Sequence, residues 1–179
     1  MKLVILDRDG VINHDSDHYI KSPDEWKPID GSLEAIARLS HEDYAVVVAT
    51  NQSGVGRGLF DMDTLNAIHE KMIAAVTNAG GRIDAIFFCP HTNIDECDCR
   101  KPKPGLLREI QTRFNVDMSQ TPVIGDSLRD LEAAIAIGAR PMLVLTGKGR
   151  KTAKDPKLPK HIPSFANLAE AVEHILKEA

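Results

Sequence analysis

Short apolar runs alternate along the chain with longer stretches whose apolar residues recur at helical spacing. Five runs are too short for helices and predict buried strands, at residues 3–6, 45–49, 83–88, 123–124 and 142–145. The stretches between and after them predict helices, beginning at residues 31–32 and covering 63–79, 105–114, 128–137 and 167–177. Strands that alternate with helices form parallel sheets with right-handed crossovers. We therefore predict a single doubly wound, Rossmann-like α/β domain over residues 1–179, with about five strands and helices on both faces.

The composition agrees with such a domain. The chain has 179 residues, 42% hydrophobic and 27% charged, as is typical of one globular unit. It has no run of 18 apolar residues, so we predict no membrane span. The first apolar run is too short for a signal peptide. A net charge of −4 argues against a dedicated nucleic-acid binder, and three cysteines cannot form a full disulfide framework. We expect a reduced, cytoplasmic monomer.

Polar residues follow four of the predicted strands, where a parallel sheet binds its ligands. These segments are Asp7-Arg8-Asp9-Gly10, Thr50-Asn51-Gln52-Ser53, a Cys/His loop ending in Arg100-Lys101, and Gly125-Asp126-Ser127. Taken singly, an aspartate at such a position is a turn residue about as often as a functional one, and a lysine is more often a solvated surface charge. Together they indicate a shared site at one edge of the sheet.

Asp7 and Asp9 lie two residues apart and repel each other unless a cation or a proton intervenes. Mg²⁺ prefers oxygen ligands, and Asp126 supplies a further carboxylate. One aspartate then remains to attack phosphorus as a nucleophile. Thr50 and Lys101 suit the oxygens of a transferring phosphoryl group.

The segments DRDG, TNQSG, RKPKPG and GDSLRD resemble the four motifs of the haloacid dehalogenase-like phosphatases, in the same order, over residues 3 to about 147. The resemblance implies that Asp7 forms an aspartyl-phosphate and that Asp9 is the general acid and base. It implies Mg²⁺ binding by Asp7, the Asp9 backbone carbonyl and Asp126. Thr50 and Lys101 would stabilise the phosphoryl group.

All three cysteines and one histidine fall within loop 89–99: Cys89, His91, Cys97 and Cys99. A Cys₃His set is typical of a closed, structural zinc site. The alternatives are free cysteines with a surface histidine, or a disulfide-linked loop. Zinc would fix this loop and thereby place Arg100 and Lys101 over the active site.

The zinc loop also resembles those of the D-glycero-D-manno-heptose 1,7-bisphosphate 7-phosphatases and of histidinol-phosphate phosphatase domains. The first resemblance implies a phosphoric monoester hydrolase that removes the 7-phosphate, in nucleotide-activated heptose (lipopolysaccharide core) biosynthesis. Ser127 departs from the lysine expected in some relatives. Histidinol phosphate is the alternative substrate, and a nucleic-acid 3′-phosphatase or a non-turnover phosphoacceptor domain is a more distant one.

The spacing of the motifs leaves no room for a cap domain. Forty residues separate Asp9 from Thr50 and 50 run from Thr50 to Lys101, and each interval already holds a crossover helix. Loops must therefore supply specificity for a small phosphorylated sugar. The candidate substrate contacts are Arg8, Asp15, Ser16, Asp17, His18, Asn51, Gln52, Ser53 and Arg100. We expect residues 53–58 to form a flexible turn, with Arg57 in reach of a second anionic group, and the basic segment 148–160 to be a solvated loop.

Overall fold

The computed structural model describes residues 1–179 as one six-stranded parallel sheet with helices on both faces. The strands are β1 (Lys2–Leu6), β2 (Tyr44–Asn51), β3 (Ala85–Cys89), β4 (Pro122–Gly125), β5 (Arg140–Val144) and β6 (Ser164–Phe165). The helices are α1 (Ser32–His41), α2 (Ser53–Gly56), α3 (Met62–Asn78), α4 (Gly105–Phe114), α5 (Leu128–Ala136), α6 (Gly149–Ala153) and α7 (Leu168–Glu178). The strand order is β3-β2-β1-β4-β5-β6.

The predicted fold class and all five predicted strands are confirmed. The sequence analysis missed β6, because two residues are too few to give a periodic pattern. It also missed two short helices. Residues 53–56 are helical rather than a flexible turn, and residues 149–153 within the predicted basic loop form α6.

The strands divide their side chains between two cores. In β1, Val4 and Leu6 join a cluster of 22 buried residues, while Leu3 and Ile5 join a cluster of 13 on the opposite face. Successive strand residues point to opposite faces, so a strand covered on both sides must be apolar throughout. This explains why the β1 run does not alternate.

Helix α3 begins and ends where its sequence indicates. Asp61 is the N-cap, and its side chain accepts a hydrogen bond of 2.8 Å from the backbone N–H of Thr64. After the helix, Gly80 has a φ of 88°, a left-handed conformation that favours glycine.

The order in which the chain adds strands to the sheet reverses between β1 and β4. From β1 the chain proceeds through β2 to β3 on one side, and β4 to β6 fill the other. Loops leave the carboxyl ends of these two strands in opposite directions, which opens a crevice where ligands bind in such sheets. Asp7 and Asp126 directly follow β1 and β4, so the topology places both carboxylates at this crevice. No helix has the length and apolar character that a membrane span needs.

Candidate active site

Asp7 and Asp126 form a carboxylate cluster in the crevice, and their oxygens lie within 4.8 Å of one another and of Asp130. Burial and the charge of Asp130 raise the pKa of Asp7 to about 7, although Lys101 opposes this. Burial and the charges of Asp7 and Asp130 raise the pKa of Asp126 to about 8. Clustered buried carboxylates with too little neutralising charge are the donor set that a hard divalent cation requires. These residues therefore fit Mg²⁺.

The backbone packs closely around Asp126. Gly10 and Gly147 have φ values of 85° and 54°, and a Cβ on either residue would overlap the Asp126 carboxylate. The N–H of Lys148 donates to Asp126 Oδ2 over 2.8 Å. Glycine is thus required at both positions to hold this carboxylate in place.

Lys101 is buried, and each of its three ammonium donors has an acceptor. Its Nζ lies 3.1 Å from Asp7 Oδ1, 2.7 Å from Asp130 Oδ1 and 2.7 Å from the carbonyl of Ala49. Burial alone would lower its pKa, but the charges of Asp130 and Asp7 outweigh burial and raise it. Lys101 is therefore a fixed positive charge beside the proposed nucleophile.

Asp130 links Lys101 to the start of helix α5. Its other oxygen, Oδ2, accepts hydrogen bonds from the backbone N–H of Ser127 over 3.2 Å and from the Ser127 hydroxyl over 2.8 Å. Ser127 and Asp130 together form a capping box. Asp130 thus pairs with the lysine, which leaves Asp7 and Asp126 as the side chains for the metal.

Asp9 lies in a dense hydrogen-bond network. Its Oδ1 accepts from Arg8 Nε over 2.8 Å and from Asn13 Nδ2 over 2.9 Å, and its Oδ2 accepts from Gln52 Nε2 over 3.1 Å. Burial would raise its pKa, but the charge of Arg8 and these hydrogen bonds hold the pKa below its usual value. The structure therefore favours the carboxylate form of Asp9.

The end of β2 connects the site to the zinc loop. Gln52 Nε2 also donates to Thr50 Oγ1 over 2.9 Å, which orients the hydroxyl. The Asn51 side chain donates to the Lys101 carbonyl and accepts from the Lys101 N–H, each over 3.0 Å. The position of Lys101 thus depends on β2 as well as on the loop that precedes it.

The crevice contains a cavity of about 190 Å³, and only two of its 18 lining residues are hydrophobic. Such a wall suits a small polar ligand. The predicted residues on the wall are Asp7, Asp9, Asp15, Ser16, Asp17, Thr50, Asn51, Gln52, Ser53, Arg100, Lys101 and Asp126.

Three arginines of the cavity wall, Arg57, Arg100 and Arg129, form no ion pair with a carboxylate. Burial lowers the pKa of Arg100, and the charges of Arg129 and Arg57 lower it further. Lys148 also lines the cavity, but it pairs with Asp15 at 3.2 Å. The arginines therefore offer uncompensated positive charge to an anionic ligand.

The side chains of Cys89, His91, Cys97 and Cys99 converge, with their ligand atoms within 4.8 Å of one another. The sulfur of Cys89 lies 2.9 Å from the sulfur of Cys99 and 3.8 Å from the sulfur of Cys97. His91 Nδ1 lies 3.3 Å from the sulfur of Cys99. None of the cysteines forms a disulfide. The set fits a structural zinc ion with four protein ligands.

The sequence matches two protein families, HAD-hydrolase-like over residues 98–171 and polynucleotide kinase 3 phosphatase over residues 2–132. It is 56% identical to D-glycero-beta-D-manno-heptose-1,7-bisphosphate 7-phosphatase of Bordetella bronchiseptica, over the full length of both chains. The enzyme of the same name from Pseudomonas aeruginosa is 51% identical over 98% of each chain. The chain belongs to the heptose-1,7-bisphosphate 7-phosphatase family of haloacid dehalogenase-like hydrolases.

Solved structures agree with this family. The crystal structure of the B. bronchiseptica D,D-heptose 1,7-bisphosphate phosphatase, complexed with magnesium and phosphate, matches all of this chain with a TM-score of 0.98. That of the Burkholderia thailandensis enzyme is 52% identical and has a TM-score of 0.79, covering 98% of this chain and 99% of the other. The predicted recognition of this family is confirmed, and the B. bronchiseptica structure contains the metal that we expect at this carboxylate cluster.

Two predicted substrate contacts of this family member lie elsewhere in the structure. Arg8 is fully buried and does not line the cavity, because its guanidinium is held by Asp9 and His69. His18 is exposed and does not line the cavity wall. We therefore do not retain either residue as a direct substrate contact.

The sequence analysis did not assign Arg129 or Lys148 to the site. Arg129 lies within the fourth motif, between Ser127 and Asp130, and its place in helix α5 could have indicated that it faces the cavity. Lys148 belongs to the basic segment that we expected to be solvated. Its backbone contact with Asp126 and its place on the cavity wall show that it belongs to the site, and no sequence signal predicts either.

Proposed function

We propose that this chain is a Mg²⁺-dependent phosphomonoesterase that hydrolyses the 7-phosphate of D-glycero-D-manno-heptose 1,7-bisphosphate and leaves heptose 1-phosphate. The observation that carries the proposal is the pairing of two sites in one cavity. Asp7, Lys101 and Asp126 suit phosphoryl transfer, and the three arginines without carboxylate partners suit a second phosphate. The family relationship supports a role in nucleotide-activated heptose biosynthesis.

In the first step, an Asp7 carboxylate oxygen attacks the phosphorus of the 7-phosphate, and the bond to the sugar oxygen breaks. The Thr50 hydroxyl binds a phosphoryl oxygen, and the fixed positive charge of Lys101 stabilises the phosphoryl group as charge shifts towards the leaving group. Asp7 and Asp126 would hold Mg²⁺, which draws charge from the same oxygens when it is bound. Asp9 gives its proton to the sugar oxygen.

In the second step, water attacks the phosphorus of the aspartyl-phosphate, Asp9 takes the proton of that water, and Asp7 is regenerated as phosphate leaves. The carboxylate form of Asp9 suits this step. Acting first as an acid requires Asp9 to gain a proton, and a dianionic phosphate placed beside it favours protonation. Asp9 would therefore alternate between the two forms during one turnover.

The arginines separate the candidate substrates. Heptose 1,7-bisphosphate presents a second anion to Arg57, Arg100 and Arg129 when its 7-phosphate reaches Asp7. Histidinol phosphate instead carries an ammonium group, which these charges repel. The hypothesis of a nucleic-acid 3′-phosphatase is supported by the family match over residues 2–132. The net charge of −4 opposes it, since nucleic-acid binding draws on positive charge.

The deciding experiment compares phosphate release from heptose 1,7-bisphosphate, histidinol phosphate and a 3′-phosphorylated oligonucleotide, with and without Mg²⁺. We expect the bisphosphate to have the highest kcat/KM, with heptose 1-phosphate as the product. Asp7→Asn should abolish turnover, because an amide does not attack phosphorus. Faster hydrolysis of either competitor, or release of the 1-phosphate first, would contradict the proposal.

We also propose that the protein works as a cytoplasmic monomer without a nucleic-acid or membrane partner. Each site is built from one chain, which supports this proposal. Light scattering coupled to size-exclusion chromatography should give a mass near 19.6 kDa. A dimer mass would contradict it.

A further inference from the structure

Helix α3 carries a buried histidine that the proposed chemistry does not use. His69 is 6% exposed and lies among Leu65, Ile68 and Met72, which are fully buried. An imidazole on the apolar face of a helix needs a polar partner, because an unpaired buried polar group is costly. The partner here is Arg8, whose Nη1 lies 3.2 Å from His69 Nε2.

Arg8 joins this histidine to Asp9. Its side chain is fully buried, and its Nε and Nη2 both lie 2.8 Å from Asp9 Oδ1. One edge of the guanidinium therefore contacts Asp9, while Nη1 contacts His69. A planar guanidinium fixed on two sides cannot rotate without breaking one contact.

The charge states agree with this arrangement. Burial and the positive charge of Arg8 lower the pKa of His69 to about 4. The imidazole is therefore neutral near pH 7, and an unprotonated Nε2 accepts a hydrogen bond from the Arg8 N–H. A protonated His69 would instead face a second cation across 3.2 Å.

Asp9 is held asymmetrically as a result. Arg8 and Asn13 both donate to Oδ1, whereas Oδ2 accepts a hydrogen bond from Gln52 alone. Oδ2 thus keeps lone-pair capacity for a proton, and Gln52 lies on the cavity wall. Two of the three side-chain donors to Asp9 therefore bind the oxygen that is not needed for proton transfer.

We propose that His69 is a positioning residue that acts through Arg8 to present Asp9 Oδ2 to the leaving oxygen. The inference rests on the proposed function, in which Asp9 is the general acid. Without the His69 acceptor, the buried Arg8 Nη1 has no partner, and the guanidinium turns to find one. Asp9 Oδ1 then loses the contact that fixes it.

The test uses the leaving group, because a sugar alkoxide needs a proton to depart and p-nitrophenolate does not. We compare kcat/KM for heptose 1,7-bisphosphate and p-nitrophenyl phosphate, which reports on the first irreversible step. His69→Leu should lower the value for the bisphosphate by ~10-fold or more, a part of the ~10²–10⁴-fold that general acid catalysis provides. The value for p-nitrophenyl phosphate should change by less than about 2-fold, and the loss should appear in kcat rather than in KM.

Three further variants separate positioning from stability. His69→Gln keeps an acceptor and should restore most of the activity on the bisphosphate. Met72→Leu alters the same buried face one turn later and should change kcat/KM for neither substrate, whatever its effect on stability. Arg8→Lys keeps the charge but loses the planar fork, and it should reproduce the selective loss even if His69→Leu does not fold.

Asp9→Asn serves as the reference for a missing acid and should show the largest selective loss. Suppose that Asp9→Asn shows the selective loss, but His69→Leu and Arg8→Lys either lower kcat/KM equally for both substrates or leave both values unchanged. The positioning role is then overturned, and the proposed function stands. If Asp9→Asn affects both substrates equally, the assignment of Asp9 fails, and the inference fails with it. Wild-type protein inactive on both esters would overturn the proposed function itself.

Discussion

The cavity contains two kinds of positively charged side chain. Lys101 is saturated, since each of its donors already contacts an oxygen of the protein. Arg57, Arg100 and Arg129 have no carboxylate partner. A charge that is satisfied within the protein serves the chemistry, and one that is not can serve binding. This division separates the reacting phosphate from the rest of the substrate.

Arg129 provides a direct test of that division. Arg129→Ala should lower kcat/KM for heptose 1,7-bisphosphate by a factor that corresponds to ~1.5–3 kcal/mol of transition-state stabilisation, the range for a hydrogen bond to a charged group. A sugar monophosphate lacks the second anion, so its hydrolysis should change little. Arg113→Ala, an exposed arginine at the end of α4, is the matched control. Equal losses on both substrates would show that Arg129 does not bind the second phosphate.

Sequence analysis predicted residues of the site that directly follow strands, because the end of a parallel strand fixes both position and direction. It did not predict that Arg8, between two site aspartates, turns inward to His69, 61 residues away. Neither residue type nor spacing encodes that pairing. The contact of Lys101 with Asp130 is equally unpredictable, since it joins a loop to helix α5, which only the folded sheet brings together.

The N-terminus of helix α5 contributes both to the stability of the helix and to the active site. Its capping box uses Asp130, and the same carboxylate pairs with Lys101. Helix α7 has a comparable cap, in which Asn167 accepts a hydrogen bond from the Glu170 N–H over 3.0 Å, but it lies outside the cavity. The two caps should therefore differ in their effect on activity.

Ser127→Ala should cost ~0.5–2 kcal/mol of stability, the usual cost of losing an N-cap. It should also lower kcat, because Asp130 loses a hydrogen bond of 2.8 Å that orients it towards Lys101. Asn167→Ala should cost a similar free energy of unfolding with kcat unchanged. Urea denaturation and steady-state kinetics on both variants would check this. An unchanged kcat in Ser127→Ala would refute the link between cap and lysine.

The zinc loop should act on catalysis through Lys101. Cys97→Ser removes one of four ligands, so the protein should lose its zinc, expected at about one ion per chain by elemental analysis. The loop then no longer holds Lys101 against Asn51, and turnover should fall even with saturating Mg²⁺. Full zinc content or wild-type turnover in this variant would contradict the assignment. Cys97 is suitable because it is only partly buried and replacement with serine disturbs packing little.

Strand prediction succeeded for the five strands that contain an apolar run, including β3 at one edge of the sheet, and it failed for β6 at the other edge. Strand β6 has two residues and lies beside β5 at the edge of the sheet. Its place depends on the chain returning from α6, which its own sequence does not show. Helix α6 was missed for a related reason: its five residues include two basic side chains and no large apolar one, and its start at Gly149 follows from packing against β5.

The carboxylate cluster makes the stability of the whole fold depend on magnesium. Asp7 and Asp126 are buried close together with Lys101 as their main compensation, so the folded protein without a divalent cation retains repulsion that the unfolded chain lacks. A ligand that binds only the folded state adds RT ln(1 + [L]/Kd), which is ~2.7 kcal/mol at 100 times Kd. For a domain of this size the Tm should therefore rise by roughly 5–10 °C in saturating Mg²⁺.

Asp126→Asn should remove most of this rise in Tm, because it removes a metal ligand and relieves the repulsion at the same time. The variant should thus be at least as stable as the wild type without Mg²⁺, and less stable than the wild type with it. Asp24→Asn, an exposed carboxylate without an ion pair, should leave both values unchanged. Differential scanning fluorimetry with and without Mg²⁺ on the three proteins decides the matter. A Mg²⁺-induced rise that persists in Asp126→Asn would place the metal elsewhere in the fold.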